Sequence, residues 1–195
     1  MARSILTIGY GNRSLDGVIN LLRNESVQYL LDVRSNPQSK FNPDFSSEHL
    51  GGALRDAGIR YVFVGDTLGG RPSDVSCYSD GHVVYDRVRE KDFFQAGISR
   101  LLNAVSQDLR ICLLCSEARP EHCHRSKLIG VALCALGVEV LHFGPNGERQ
   151  SQTEVLKRLE SLQGDLFGLS LRSRRAYNPS TKAAGRKATA GPSTR

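Results

Sequence analysis

The sequence predicts an α/β protein, an open three-layer sandwich around a mainly parallel five-stranded sheet. Three observations carry this expectation. Short apolar runs alternate with stretches whose apolar residues recur at helical spacing. The runs are continuous rather than alternating with polar residues, as strands covered on both faces require. The chain has 195 residues, 39% hydrophobic and 24% charged, an ordinary balance for one globular domain with a short appendage.

Residues 4–10 (SILTIGY) read as the first strand. A helix follows over residues 15–24, with Ser14 placed to cap it through its hydroxyl. Residues 29–33 (YLLDV) make the second strand. Beyond a polar loop at residues 34–43, a helix near 47–57 stops at Gly58, a residue suited to a helix end. Residues 59–64 are the third strand. Gly-Gly and Arg-Pro turn signals mark residues 65–84 as an irregular stretch, the length of which suits a lid. Over residues 86–106, Phe93, Phe94, Ile98, Leu101, Leu102 and Val105 recur at helical spacing and predict one long helix. Residues 109–115 are the fourth strand, 126–136 a helix closed by Gly137, 138–143 the fifth strand, and 153–162 the last helix.

Parallel strands joined by crossovers bind ligands beyond their carboxyl ends. That rule selects five segments: residues 9–14, 32–40, 65–78, 115–125 and 142–147.

The net charge of +6 is concentrated in a tail. Residues 172–195 hold seven Lys/Arg and no Asp/Glu, which leaves the preceding body close to neutral. With Tyr177 its one aromatic residue, this tail is expected to be disordered, dividing the chain into a body (residues 1–165) and a basic tail (166–195). Flexible cations attract polyanions, so nucleic acid is one candidate partner; a solvated tail without a partner is the alternative. No apolar run reaches the roughly 18 residues needed to span a bilayer, and residues 1–7 do not read as a signal peptide. A cytoplasmic protein without membrane contact is the expectation. The five cysteines are odd in number and then read as reduced thiols. Cys112 and Cys115 form a C-x-x-C pattern inside a strand, with no second pair to complete a zinc ribbon.

The densest chemistry is Cys115-Ser-Glu-Ala-Arg-Pro-Glu-His-Cys-His-Arg125, between a strand and a helix. Free N–H groups at the helix start favour an anion, and a cysteine there tends towards thiolate. Cys123 is therefore the first candidate nucleophile and Cys115 the second, with Glu117 and His124 as candidate general acids or bases. Arg125 is a candidate anion ligand. The Cys-x5-Arg spacing of tyrosine phosphatases is absent. In the plainer alternative, Glu117 pairs with Arg125 and both cysteines pack as small hydrophobes. A metal on Cys115, Cys123 and His124 or His142 has suitable donors but no recognised spacing, and no cofactor is predicted.

In Asp32-Val-Arg34 the two charged residues lie on one side of a strand end, able to pair with each other or to contact a substrate. Ser39 and Lys40, just beyond, suit a phosphate or carboxylate. Gly9-Tyr10-Gly11 lacks the third glycine of a dinucleotide fingerprint and reads as a close-approach loop. Leu68-Gly69-Gly70-Arg71 adds backbone freedom and one cation, and Tyr78 and Tyr85 are candidate stacking residues.

Together, Thr7-Ile-Gly-Tyr10, Asp32-Val-Arg-Ser-Asn-Pro37, Leu68-Gly-Gly70, Cys115-Ser-Glu117 and Pro120…Cys123-His-Arg125 resemble the domain-of-unknown-function family 488 over about residues 4–147. The C-x-E element followed by P-x-x-C-H-R is the specific part. The family's first motif commonly reads T-I-G-H-S, where this chain has Tyr10 and Gly11; a histidine near the last strand is matched by His142. The resemblance implies a Rossmann-like sandwich and one pocket built by these motifs, Gly9, Tyr10, Asp32, Arg34, Gly69, Gly70 and His142 among its walls. It implies no reaction.

Residue chemistry leaves three readings. The first is a hydrolase or group transferase using a thiolate or Glu117 on a small anionic or nucleotide-like substrate held by Arg34 and Arg125. The second is a nucleic-acid-associated protein recruited by the tail. The third is a non-catalytic ligand sensor.

Overall fold

The structure, a computed structural model, describes residues 4–163 and 171–177. The chain begins with strand β1 (Ile5–Gly9) and helix α1 (Leu15–Asn24). Ser14 caps α1 by accepting a 3.1 Å hydrogen bond from Gly17 N. Strand β2 (Tyr29–Asp32), a 3₁₀ turn (Pro43–Phe45), α2 (Ser47–Asp56) and β3 (Arg60–Phe63) follow. The stretch expected to be irregular contains α3 (Gly65–Leu68), a 3₁₀ turn (Val75–Cys77) and a hairpin of β4 (Tyr78–Ser79) and β5 (His82–Val83). Its two-residue turn, Asp80-Gly81, has positive φ at both positions, the geometry that matches strand twist.

Instead of one helix over residues 86–106, the chain forms α4 (Tyr85–Arg89) and α5 (Asp92–Ser106). The break has a cause in packing. A continuous helix would extend the buried line of Tyr85 and Val88 onto Asp92, Gln95 and Ser99, all polar. Interrupting it at Lys91, whose backbone is extended, rotates Phe94, Ile98 and Leu101 inward instead.

Strand β6 (Ile111–Cys115) leads through the 3₁₀ turn Pro120–His122 into a π-helical segment (Arg125–Gly130) that continues as α6 (Val131–Ala135). Then come β7 (Val140–Phe143), β8 (Arg149–Ser151) and α7 (Gln152–Gln163).

The sheet has six strands in the order β3-β2-β6-β1-β7-β8, parallel except for β8, which runs antiparallel to β7. The sixth strand corrects the expected five: Arg149-Gln-Ser151 is short, polar and at an edge, so it carries no apolar run to read. Leu6, Ile8, Cys112 and Leu114 pack with α1 and α2 on one face. Ile5, Leu31, Ile111, Leu113 and Cys115 pack on the other with α4, α5, α6 and the π-helical segment. The result is a Rossmann-like three-layer sandwich. Cys112 and Cys115, three positions apart on a strand, face opposite layers and cannot act as a pair.

Residues 172–177, which the sequence places in a disordered tail, pair with the β4–β5 hairpin and the residue that follows it. Val84 and Arg172 form an antiparallel bridge, Ser173 N donates to Val83 O at 2.9 Å, and Tyr177 N donates to Gly81 O at 2.7 Å. Backbone pairing to the hairpin supplies order that the composition of the segment does not suggest. The rest of the tail lies outside the described residues.

Candidate active site

Strand β6 lies between β2 and β1, and the chain leaves these three strands in opposite directions. After β1 and β2 it passes to helices on one face; after β6 it passes to the π-helical segment on the other. Diverging connections open a crevice beyond the carboxyl end of β6. A cavity of about 260 Å³ occupies it. Tyr10, Arg34, Gly70, Cys115, Glu117, Cys123 and His124 all line this cavity, so seven of the expected site residues meet in one place.

Cys115 ends β6, and the turn at Pro120 brings Cys123 and His124 back over it. His124 Nε2 lies 2.9 Å from Val33 O. A carbonyl only accepts, so Nε2 carries the hydrogen and donates it. Nδ1 then faces the two sulfurs, 3.7 Å from Cys115 Sγ and 3.7 Å from Cys123 Sγ. Gly70 makes room for this ring: a Cβ there would stand 2.6 Å from His124 Cγ.

The two thiols share one proton asymmetrically. The Cys123 S–H donates to Cys115 and, against the opposing effect of burial, holds the Cys115 thiol well below its ordinary range, with His124 and Arg125 adding to the effect. Burial pushes Cys123 well above that range, and the neighbouring Cys115 charge pushes it further. Negative charge on the pair is therefore favoured at Cys115 over Cys123. The start of the helix favours charge at Cys123, but in a buried pair the second negative charge is suppressed.

Arg34 and Asp32 form a buried ion pair, with Arg34 Nε to Asp32 Oδ1 at 2.8 Å and Nη2 to Oδ2 at 2.6 Å. Tyr61 donates its hydroxyl to Oδ2 at 2.7 Å. Burial alone would lower the Arg34 guanidinium; hydrogen bonding and attraction to Asp32 more than reverse this, so it stays protonated. Burial and the Asp32 charge together push the Tyr61 phenol up. Asp32 does not line the cavity: it positions Arg34, whose Nη1 has only a 3.5 Å contact with Tyr10 Oη. Tyr10 is itself set by stacking on Phe45, with ring centroids 4.1 Å apart, and by a 3.2 Å bond to Ser39 Oγ.

Other expected site residues stand behind the walls. Arg125 is wholly buried and donates to the carbonyls of Glu117 and Ala118 in its own loop. Its Nε has no partner among the described residues, and its charge favours thiolate at Cys115. Gly9 lets Glu117 O and Arg125 approach the strand. Gly69 packs on Ser35, and Ser39 supports Tyr10. His142 is fully buried between Thr7 and Gln152, at 2.6 Å from each. Burial first, then Arg125, lowers it to about 3, so it is neutral.

The unforeseen part of the wall is a C-terminal strap. Ser173, Arg174, Arg175 and Tyr177 line the cavity, and Arg174 Nη2 contacts both Glu117 oxygens at 3.1 and 3.2 Å. Arg71, read from the sequence as a cation near the mouth, lines the cavity and lies 4.9 Å over the Tyr177 ring. Glu117 pairs with Arg174 rather than with Arg125. Leu171 and Tyr177, both packed against the core, were the available signal in a tail otherwise poor in apolar residues.

Fold and site together define a Rossmann-like α/β protein whose cavity holds a thiol pair, an imidazole and an arginine at the carboxyl edge of its sheet. The chain belongs to the family described as "Domain of unknown function DUF488", whose sequence model matches residues 14–132. No curated protein and no solved structure matches the chain. No helix among the described residues is long and apolar enough to cross a membrane.

Proposed function

We propose that the protein is a cysteine-dependent enzyme, a hydrolase or group transferase, acting on a small anionic substrate, with nucleotides the first class to screen. The observation that carries this reading is the cluster on the cavity wall, where His124 Nδ1 lies 3.7 Å from both Cys115 Sγ and Cys123 Sγ and the environment favours thiolate at Cys115. The lining holds Arg34, Arg71, Arg174 and Arg175 against one carboxylate, Glu117, a field that favours an anion.

In this reading Cys115 Sγ bonds to the electrophilic centre while the substrate's anionic group meets Arg34 Nη1. The bond to the leaving group breaks with its electron pair, and that group takes a proton carried by His124 Nδ1. Water or a second acceptor then displaces the sulfur, giving its proton to Glu117. Arg125 favours the thiolate from behind the wall.

Alkylation of the reduced protein in the presence of a chelator tests the assignment. A model thiol near pH 6.5 is only about 1% thiolate, and the lower intrinsic nucleophilicity of a low-pKa thiolate returns part of the advantage. Cys115 should therefore label about 10-fold faster than the model thiol. Cys123→Ala, which removes the donor to Cys115, should slow labelling at this pH by raising the Cys115 thiol. If peptide mapping finds Cys115 no faster than the model thiol, the nucleophile assignment is wrong.

A further inference from the structure

The thiol–imidazole cluster has a second capacity. We propose that Cys115, Cys123 and His124 bind a soft divalent metal ion of the zinc class, with the fourth coordination position open to the cavity. The sequence supplies these donors without a recognised spacing, and the fold brings them together.

Four observations support the site. First, the three donor atoms lie within 4.8 Å of one another. In a tetrahedral zinc site the S···N separation is about 3.6 Å, given zinc bonds of about 2.3 Å to sulfur and 2.0–2.1 Å to nitrogen. Both S···Nδ1 distances here are 3.7 Å, so a metal needs little rearrangement. Second, two sulfurs and one imidazole suit zinc-like ions rather than magnesium or calcium, which prefer oxygen. Third, the imidazole is held in position to ligate. Its Nε2–H is committed to Val33 O, which leaves Nδ1, facing both sulfurs, as the coordinating atom once any proton on it is displaced by the metal, the outer-shell arrangement of metal-bound histidines. Fourth, all three side chains line the cavity, and the described residues add no fourth donor to the cluster. Three protein ligands with one position facing a cavity characterise a reactive or exchangeable site rather than a closed structural one.

Occupation and thiol chemistry exclude each other, because the sulfur lone pair that would attack a substrate becomes the bond to the metal. Metal binding is therefore an off-switch for the cavity. This consequence rests on Cys115 being the reactive thiol; the binding itself does not.

The test uses the reduced full-length chain, stripped of metal and titrated anaerobically with cobalt(II) alone. Expected are a thiolate-to-cobalt charge-transfer band and the visible bands of a tetrahedral complex, saturating at one ion per chain and displaced by zinc. Cys123→Ser and His124→Gln should weaken binding by more than the roughly 100-fold that losing an outer-shell partner costs. Cys134→Ser, which removes an exposed thiol outside the cavity, should leave the bands intact. Native protein without charge-transfer bands overturns the proposal, as do bands that survive in both folded ligand variants. In a parallel measurement zinc should protect Cys115 from alkylation, and a chelator should restore it. Cobalt bands with an unreactive metal-free Cys115 would remove the enzyme reading and leave the metal site standing. A reactive Cys115 without bands would do the reverse.

Discussion

At the scale of residues, charge placement decides which groups can react. Asp32 stands behind Arg34, outside the cavity lining, with its carboxylate committed to Arg34 and Tyr61. Removing one member of a buried, hydrogen-bonded pair costs about 3–5 kcal/mol, so Asp32→Asn should lower the urea midpoint substantially with an unchanged denaturant slope. His142 gives a pH signature. Its folded-state value of about 3 lies below the ordinary 6.5, so the native protein refuses a proton that the unfolded chain accepts. That contribution is present in full above about pH 6.5 and is lost as pH falls towards about 3. Urea unfolding at about pH 5 should show about 2 kcal/mol less stability from this group than at about pH 7.5, a difference His142→Gln should remove. The residues of the site were largely legible: cysteines, Glu117, His124 and Arg34 stand out by type at strand ends. The direction taken by long side chains was not. Arg125 looks like an anion ligand in sequence, yet the carbonyls of its own loop satisfy it; only the folded path of residues 117–118 makes those carbonyls available.

At the scale of elements, the long β-strands and amphipathic helices were readable because each buries a continuous apolar run or stripe. α1 and α2 start where the spacing places them. Short elements escaped. β8 is polar, and the β4–β5 hairpin is carried by Asp80-Gly81, a turn signal in a region that otherwise reads as loop. The π-helical segment at Arg125–Gly130 follows directly on the thiol cluster, and every one of its residues is buried. Such segments occur often at functional sites and carry no periodicity to recognise. The strap was hidden because its order comes from backbone bonds to residues about ninety positions earlier. Its Arg174–Glu117 pair is partly exposed on both sides, so the pair is worth no more than about 1 kcal/mol. Arg174→Ala should shift the thermal midpoint by at most about 2–4 °C while speeding alkylation of Cys115 by widening the mouth. A collapse in stability would show that the strap supports the fold rather than shaping the cavity.

At the scale of the whole molecule, the basic tail divides into two parts. Arg174 and Arg175 line the cavity, whereas Lys182, Arg186, Lys187 and Arg195 lie beyond the described residues. Chains ending at residue 177 and at residue 170 separate their roles. The longer truncate should keep the alkylation rate and metal affinity of the native protein; the shorter should change both. Any salt-dependent binding of single-stranded nucleic acid should fall already in the longer truncate, with a flatter salt slope because fewer phosphates are neutralised. Equal binding by native and longer chains would dissociate nucleic acid from the outer tail.

The strap also sets an order of events during synthesis. All six strands of the sheet have been made once Ser151 is added, yet Glu117 meets its partner 57 positions downstream and the cavity wall waits for Tyr177. A nascent chain stalled between those points would carry a formed scaffold with its sulfur exposed on one side. Protection of that sulfur in ribosome-bound chains of increasing length would therefore mature late, with the arrival of the strap rather than with the closing of the sheet.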